Sequence, residues 1–308
     1  MNREELQRRK QEFVDRHGSW TAHTIHLGGG VYTDHDPDRL DGNSRLIRRI
    51  TQATLDLAGK PLDQVRALDL ACLEGQYGIE LARHGADVVG IEIRETHIAK
   101  ARFAAEALKL SRYEVRQDDV RNLSVETYGL FDVVLCIGIL YHLDAPDVFE
   151  VIRRMASVCT RLLIIDTHVS QWVDSGLTFE GKSYRGRRVF EHLSWTTKEQ
   201  RASKPWASID NASSVWLSRA SLDNALQDAG FTSVFACDVP ALPGRRPDRQ
   251  TIIALKGAPA ELHCTPAESG APLLRSDEKS VMGSLGGFAS RLYSVARGKV
   301  ERLRRDRR

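Results

Sequence analysis

The stretch VRALDLACLEGQYG, residues 65–78, decides how the rest of the chain reads. Its first half is a short apolar run interrupted by one acid, Asp69. Its second half turns through Gly75 into the helix-like YGIELARHG, residues 77–85. A strand that feeds a helix through a tight turn opens a βα unit, and the same alternation recurs downstream. DVVGIEI (87–93) precedes the helical period of RETHIAKARFAAEALKL (94–110). YEVRQDDV (113–120), FDVVLCIGIL (131–140) and RLLIIDTHV (161–169) continue the series, with the helical DVFEVIRRMASV (147–158) between the last two. FDVVLCIGIL is apolar on both faces, which is the pattern of a central parallel strand. The expected class is therefore α/β: a mostly parallel sheet with helices on both faces.

Working outward, residues 1–17 read as a polar helix ending near Gly18. SWTAHTIHLGGGVYT (19–33) has no regular period and reads as a structured loop. Residues 44–58 have helical spacing, with Ser44 available as an N-cap. Residues 1–64 then form an N-terminal helical segment. His23, His26, Gly28–Gly30 and Tyr32 make either a lid over a site or a loop packed on the sheet edge. The alternation stops after Val169 and leaves an insertion, 170–215. Trp172, Trp195, Trp206 and Trp216, four of the five tryptophans, lie in it or at its edge. These rings serve as a small core, as a stacking surface for substrate, or as both. The basic SYRGRRVF (183–190) is either a solvated loop or a surface for an anionic ligand. A helix (218–231) and two strands (231–239 and 250–257) close the main domain, 65–257. Residues 258–280 read as a linker and 281–308 as a basic amphipathic tail, suited to an anionic membrane, RNA phosphates or a partner, or else simply disordered.

Composition narrows the classes further. The chain has 308 residues, 42% hydrophobic and 28% charged, enough for a full core. No run of eighteen apolar residues exists, and the charged N-terminus lacks a signal peptide's apolar stretch, so a cytoplasmic location is expected. Five scattered cysteines without CxxC spacing argue for free thiols rather than disulfides or zinc. Net charge is +3, but residues 281–308 hold eight Lys/Arg against two Asp/Glu, so the rest is mildly acidic. That balance argues against nucleic-acid binding as the main function. No metal is expected; Asp166, His168 and His192 have no distinctive ligand spacing.

In an open parallel sheet, ligands bind beyond the carboxyl ends of the strands. The first strand ends in Asp69–Gly78, where Gly75 lets backbone amides approach a ligand. Glu92, with Ile93 beside it, offers a carboxylate to a ribose. Asp118–Val120 offers a polar side chain and an apolar wall to a base. Gly138–His142 closes the fourth strand. His142 and His168 are candidate general bases near neutral pH, and Tyr141 accompanies them, although ordinary loop packing accounts for Tyr141 and His142 equally well. A dinucleotide fold is disfavoured because GxGxxG is missing after the first strand.

This succession of strand ends resembles the class I S-adenosylmethionine-dependent methyltransferases over residues 65–257. The resemblance implies a Rossmann-like sheet of seven strands, the last antiparallel, and S-adenosyl-L-methionine as cofactor. It also implies a division of roles. Asp69, Ala71 and Gly75 would lie under the methionine part, Glu92 and Ile93 at the ribose, Asp119 and Val120 at the adenine, and Ile137 to His142 at the methyl-transfer mouth. The chain departs from the family at Ala71 and Leu73, where glycines are usual. Ala71 is expected to hold a negative φ and Leu73 to narrow the site.

Gly138–His142 with Pro146, and Val215–Leu217 before Ala229–Phe231, resemble the tRNA wobble-uridine carboxymethyltransferase branch and related bacterial methyltransferases. That branch uses carboxy-S-adenosylmethionine, for which Arg185, Arg187 and Arg219 are the candidate partners here. The expected function is methyl transfer to an oxygen or nitrogen of a small polar molecule or glycan precursor. The alternatives are tRNA modification and, from another class, a non-catalytic cofactor-binding regulator or partner subunit.

Overall fold

A computed structural model describes residues 2–34 and 37–258, with the side chains of 37–43 left aside. The linker and tail read from 258–308 lie outside the described residues, except for Ala258. The N-terminal segment comprises α1 (Arg3–His17), the short strands β1 (His26–Gly28) and β2 (Val31–Tyr32), and α2 (Pro37–Leu57). Asn2 caps α1 by accepting the Glu5 N–H, and Gly18 ends it at φ 77°. The GGG run of the 19–33 stretch thus turns a small hairpin rather than an irregular loop. Helix α2 begins seven residues before Ser44, which therefore sits inside the helix and not at its N-cap.

The main domain then alternates as the apolar runs require: β3 (Arg66–Leu70), α3 (Gln76–Arg83), β4 (Asp87–Glu92), α4 (Glu95–Ala107), β5 (Tyr113–Gln117), the single turn α5 (Val125–Tyr128), β6 (Phe131–Ile137), α6 (Asp147–Val158) and β7 (Cys159–His168). The insertion folds into β8 (Ser175–Phe179), β9 (Lys182–Phe190), α7 (Lys198–Ala202) and β10 (Ser213–Leu217). Helix α8 (Arg219–Asp228) and strands β11 (Ser233–Ala236) and β12 (Arg249–Leu255) follow.

Seven strands form one sheet in the order β11-β12-β7-β6-β3-β4-β5. Pairing is parallel from β7 to β5, while β12 runs antiparallel to both neighbours. The period-two geometry of a strand explains why its centre is apolar at every position. Val134 and Cys136 of β6 pack under α6 and α8 in one core cluster, whereas Val133 and Leu135 pack with α2 and α3 residues in another. A smaller cluster joins Leu6, Trp20, Ile25 and Leu27 of the N-terminal segment to Ile79 of α3 and Phe103 of α4. The 183–190 stretch is the central strand of a three-stranded antiparallel sheet, β10-β9-β8, and not a loop. Gly186 allows the β10 backbone to come close: a Cβ there would meet the Trp216 carbonyl oxygen at 2.7 Å.

Two nearby phenylalanines test this partition. Phe231 is 1% exposed and Phe235 is 41% exposed. Phe231→Ala should cost about 3–5 kcal/mol in urea unfolding, and Phe235→Ala much less. Equal losses would contradict the packing described.

Candidate functional site

A cavity of about 260 Å³ opens at the carboxyl ends of β3, β4, β5 and β6. Its floor is set by the turn from β3 to α3. Ala71, Leu73 and Gly75 take φ of 48°, 52° and 83°, so three of five residues are left-handed. Two of them are not glycine, at roughly 1–2 kcal/mol each for the Cβ. The expectation of a negative φ at Ala71 is thus corrected: the chain keeps the tight path and bears the strain. The turn points its backbone inward, and the Leu73 N–H donates to Glu92 Oε2 at 3.0 Å while the Arg94 N–H donates to Oε1 at 2.8 Å. Glu92 is buried yet retains lone pairs on both oxygens.

Asp69 accepts the Gly78 N–H at 2.9 Å on Oδ2, and its buried Oδ1 has no partner. Burial pushes this acid up to about 7, with the charge of Glu92 adding to the shift and the Gly78 N–H opposing it. Glu74 points the other way. Its carboxylate accepts the N–H groups of Thr21, Ala22 and His23 and meets Lys100 Nζ at 3.4 Å. Residues 21–23 are thereby fastened to the turn, and Ala22 and His23 line the cavity. His23 is driven down to about 4, chiefly by burial, and its Nδ1 accepts the Gln76 N–H at 3.3 Å. It is a neutral wall.

The roof comes from the insertion. Arg94 donates to the carbonyl oxygens of Ala202, Lys204 and Ala207. Arg121 bonds Asp119 and reaches Asp147 at 3.3 Å and Asp210 at 2.7 Å. The strand ends β4 and β5 therefore hold residues 202–210 over the cavity, which Trp206, Ser208 and Ile209 line. Along the other wall, a 3-10 turn carries Leu140–His142. His142 Nδ1 lies 2.6 Å from Glu191 Oε2, which also accepts the Ser208 N–H at 2.7 Å. Burial would raise Glu191, but the bonds from His142 and Ser208 hold it below the usual carboxylate range. An ionised carboxylate only accepts, so the Nδ1 of His142 donates to Glu191 and Nε2 is the ring nitrogen left for a substrate.

A family model described as a methyltransferase domain matches residues 62–209. The N-terminal domain of EvdMO1, solved with SAH bound, superposes with a TM-score of 0.62 at 26% identity, covering 83% of this chain and 96% of that one. The same domain in the presence of SAH and D-fucose gives 0.60 at 28% identity with the same coverage. Residues 62–209 therefore form a methyltransferase domain of the S-adenosylmethionine-dependent type. Among curated relatives, a ubiquinone biosynthesis O-methyltransferase of Acinetobacter baylyi is 37% identical over 90 residues, and one of Xanthomonas oryzae pv. oryzae is 32% identical over 126. Those matches span 29% and 40% of this chain, but only 36% and 49% of the relatives.

The cavity gathers Asp69, Ala71, Glu92, Ile93, Asp119, Val120, Ile137, Tyr141 and His142. Two expected residues stand apart. Gly75 is turned toward α4 and β5, where a Cβ would run into the Tyr113 hydroxyl and lie 3.1 Å from Ala101 Cβ. His168 does not line the cavity: it stacks on Trp216 at 4.5 Å and lies 3.2 Å from Asp248. Burial and the nearby Arg249 lower its basicity. Asp166 is committed to Arg245 and Arg249, and no cluster of three metal-ligating side chains occurs among the described residues.

Arg185, Arg187 and Arg219 do not reach the cavity. Arg219 bonds Asp223 and Gln250, and Arg187 lies 4.5 Å over the Trp172 ring. The cations that do line it are Arg94, Arg121 and Arg249. Glu191, Glu74 and the clamping arginines escaped the sequence reading. Only Glu74 carried a signal, as a charge inside a turn between buried elements.

Two measurements probe the floor. An acid whose pKa is raised on folding keeps its proton longer in the native state than in the unfolded chain. Asp69 therefore subtracts stability progressively as pH rises from about 4 to about 7. Asp69→Asn should gain stability relative to the parent across that window in urea titrations at pH 4.5 and 7.5; a constant difference would contradict the shift. Ala71→Gly should raise the urea midpoint, by up to about 1 kcal/mol after the unfolded-state entropy of glycine is deducted. A loss would show that the left-handed turn is not strained.

Proposed function

We propose that this methyltransferase transfers the methyl group of S-adenosylmethionine to a hydroxyl oxygen of a small polar acceptor, a sugar or a related ring. The observation that carries this reading is the His142–Glu191 pair on the cavity wall, because an alcohol needs a base to become a competent nucleophile. The relatives agree in direction: one solved structure was obtained with D-fucose present, and two curated relatives are O-methyltransferases.

The residues fit the cofactor. Asp69 Oδ1 is an unsatisfied buried acceptor in the cavity wall, suited to an ammonium group. Glu92 has lone pairs left for ribose hydroxyls after its two backbone bonds. Ile93 and Val120 supply apolar walls for a planar base. When bound, S-adenosylmethionine supplies an electrophilic sulfonium methyl. The protein's work is then to align the acceptor, exclude water under the 202–210 roof, and take up one proton. His142 Nε2 would take up the hydroxyl proton of the acceptor as its oxygen becomes methylated. Glu191 stabilises the imidazolium that results, as the carboxylate of a catalytic triad does.

His142→Ala should lower kcat roughly 10²–10⁴-fold while leaving calorimetric binding of S-adenosylmethionine nearly intact. Glu92→Ala should weaken that binding by roughly 10–100-fold. The assay is methyl transfer to a panel of monosaccharides, D-fucose included, and simple phenols. Parent-like turnover by His142→Ala would remove the base from the mechanism.

A further inference from the structure

The insertion carries an unusual outer surface. Phe190 is 78% exposed, Trp195 75%, Trp206 60% and Leu193 55%. They share one neighbourhood, because Ser208 joins the two stretches: its N–H donates to Glu191 and its carbonyl oxygen accepts from the His192 ring at 2.7 Å. Phe190 and Leu193 flank the Glu191–His192 side of that junction, and Trp206 lies two residues before Ser208 on the other. Arg201 bonds the Thr196 hydroxyl and the Asp210 carbonyl, which keeps the Trp195 turn alongside. The surroundings are cationic. Residues 182–206 hold seven Lys/Arg against two Asp/Glu; Lys182 and Arg188 pair with Asp228 and Asp144, which leaves this stretch an excess of three positive charges. Lys198 and Lys204 are exposed and form no ion pair among the described residues.

We infer that this face docks on an anionic lipid bilayer. Large apolar and aromatic side chains ringed by lysine and arginine gain both from entering the headgroup–acyl boundary and from negative surface potential. The basic tail cannot be the occupant, since its charge has the same sign. A second copy meeting this face symmetrically would set one positive face against another. RNA would use the tryptophan faces and the cations but gain little from Leu193 and Phe190. On the function proposed above, and only on it, docking turns the cavity mouth at Trp206 toward the lipid, so that an acceptor anchored in the bilayer is delivered to His142.

The test is sedimentation of the full chain with vesicles of phosphatidylcholine alone or with 30% phosphatidylglycerol, and it needs no methyl transfer. The expected result is partition to anionic vesicles only, reduced at least tenfold in Phe190→Ser/Trp195→Ser and in Lys198→Glu/Lys204→Glu, each with an unchanged melting temperature. Undiminished pelleting of both variants would assign binding to another surface, such as the tail, and overturn the inference. So would failure of the parent chain to pellet, or capture of polyuridylate that the same substitutions abolish while vesicle binding persists.

Discussion

Between β3 and α3 the chain has five residues in which to reverse direction, and that constraint organises everything around it. The chain makes this turn on a left-handed path at Ala71, Leu73 and Gly75. Once they do, the Leu73 N–H faces Glu92, the Gly78 N–H faces Asp69, and Glu74 is thrown outward beneath residues 21–23. A straighter connection would separate all three carboxylates from their partners. The strain of two non-glycine residues is offset by backbone bonds to charged acceptors, each typically worth about 1.5–3 kcal/mol.

The two covers over the cavity obey different physics. Residues 21–23 are held by one fully buried carboxylate with a lysine beside it, an arrangement that stays rigid because breaking it strands buried charge. The insertion is held by Arg94 and Arg121, both partly exposed, so its attachment rests on charge-assisted bonds nearer to water. The low-stability element is thus the roof, which is where access to a covered site has to come from.

Much of this was legible in the chain. Apolar runs such as FDVVLCIGIL mark buried parallel strands because neither face can meet water, and the ends of those strands mark the cavity. The turn was harder. Nothing in Ala71 or Leu73 announces a positive φ, since neither residue type favours that conformation. The partner of His142 was beyond reach for another reason: Glu191 lies 49 positions away, on a segment whose path is set by Ser208 and Arg94. Ser44 misled because a good capping residue inside a helix looks the same as one at its start. SYRGRRVF misled because an antiparallel strand with one face toward solvent looks like a charged loop when its neighbours are irregular.

Arg94 grips the roof through main-chain oxygens of Ala202, Lys204 and Ala207, and every residue type has such an oxygen. The clamp is therefore indifferent to what those positions carry. Side chains along 202–207 are free to diverge, reshaping the surface offered to an acceptor, without any compensating change at Arg94. Substrate preference is thereby separated from closure, and a lineage can explore new acceptors through this segment while the machinery for the methyl donor stays as it was.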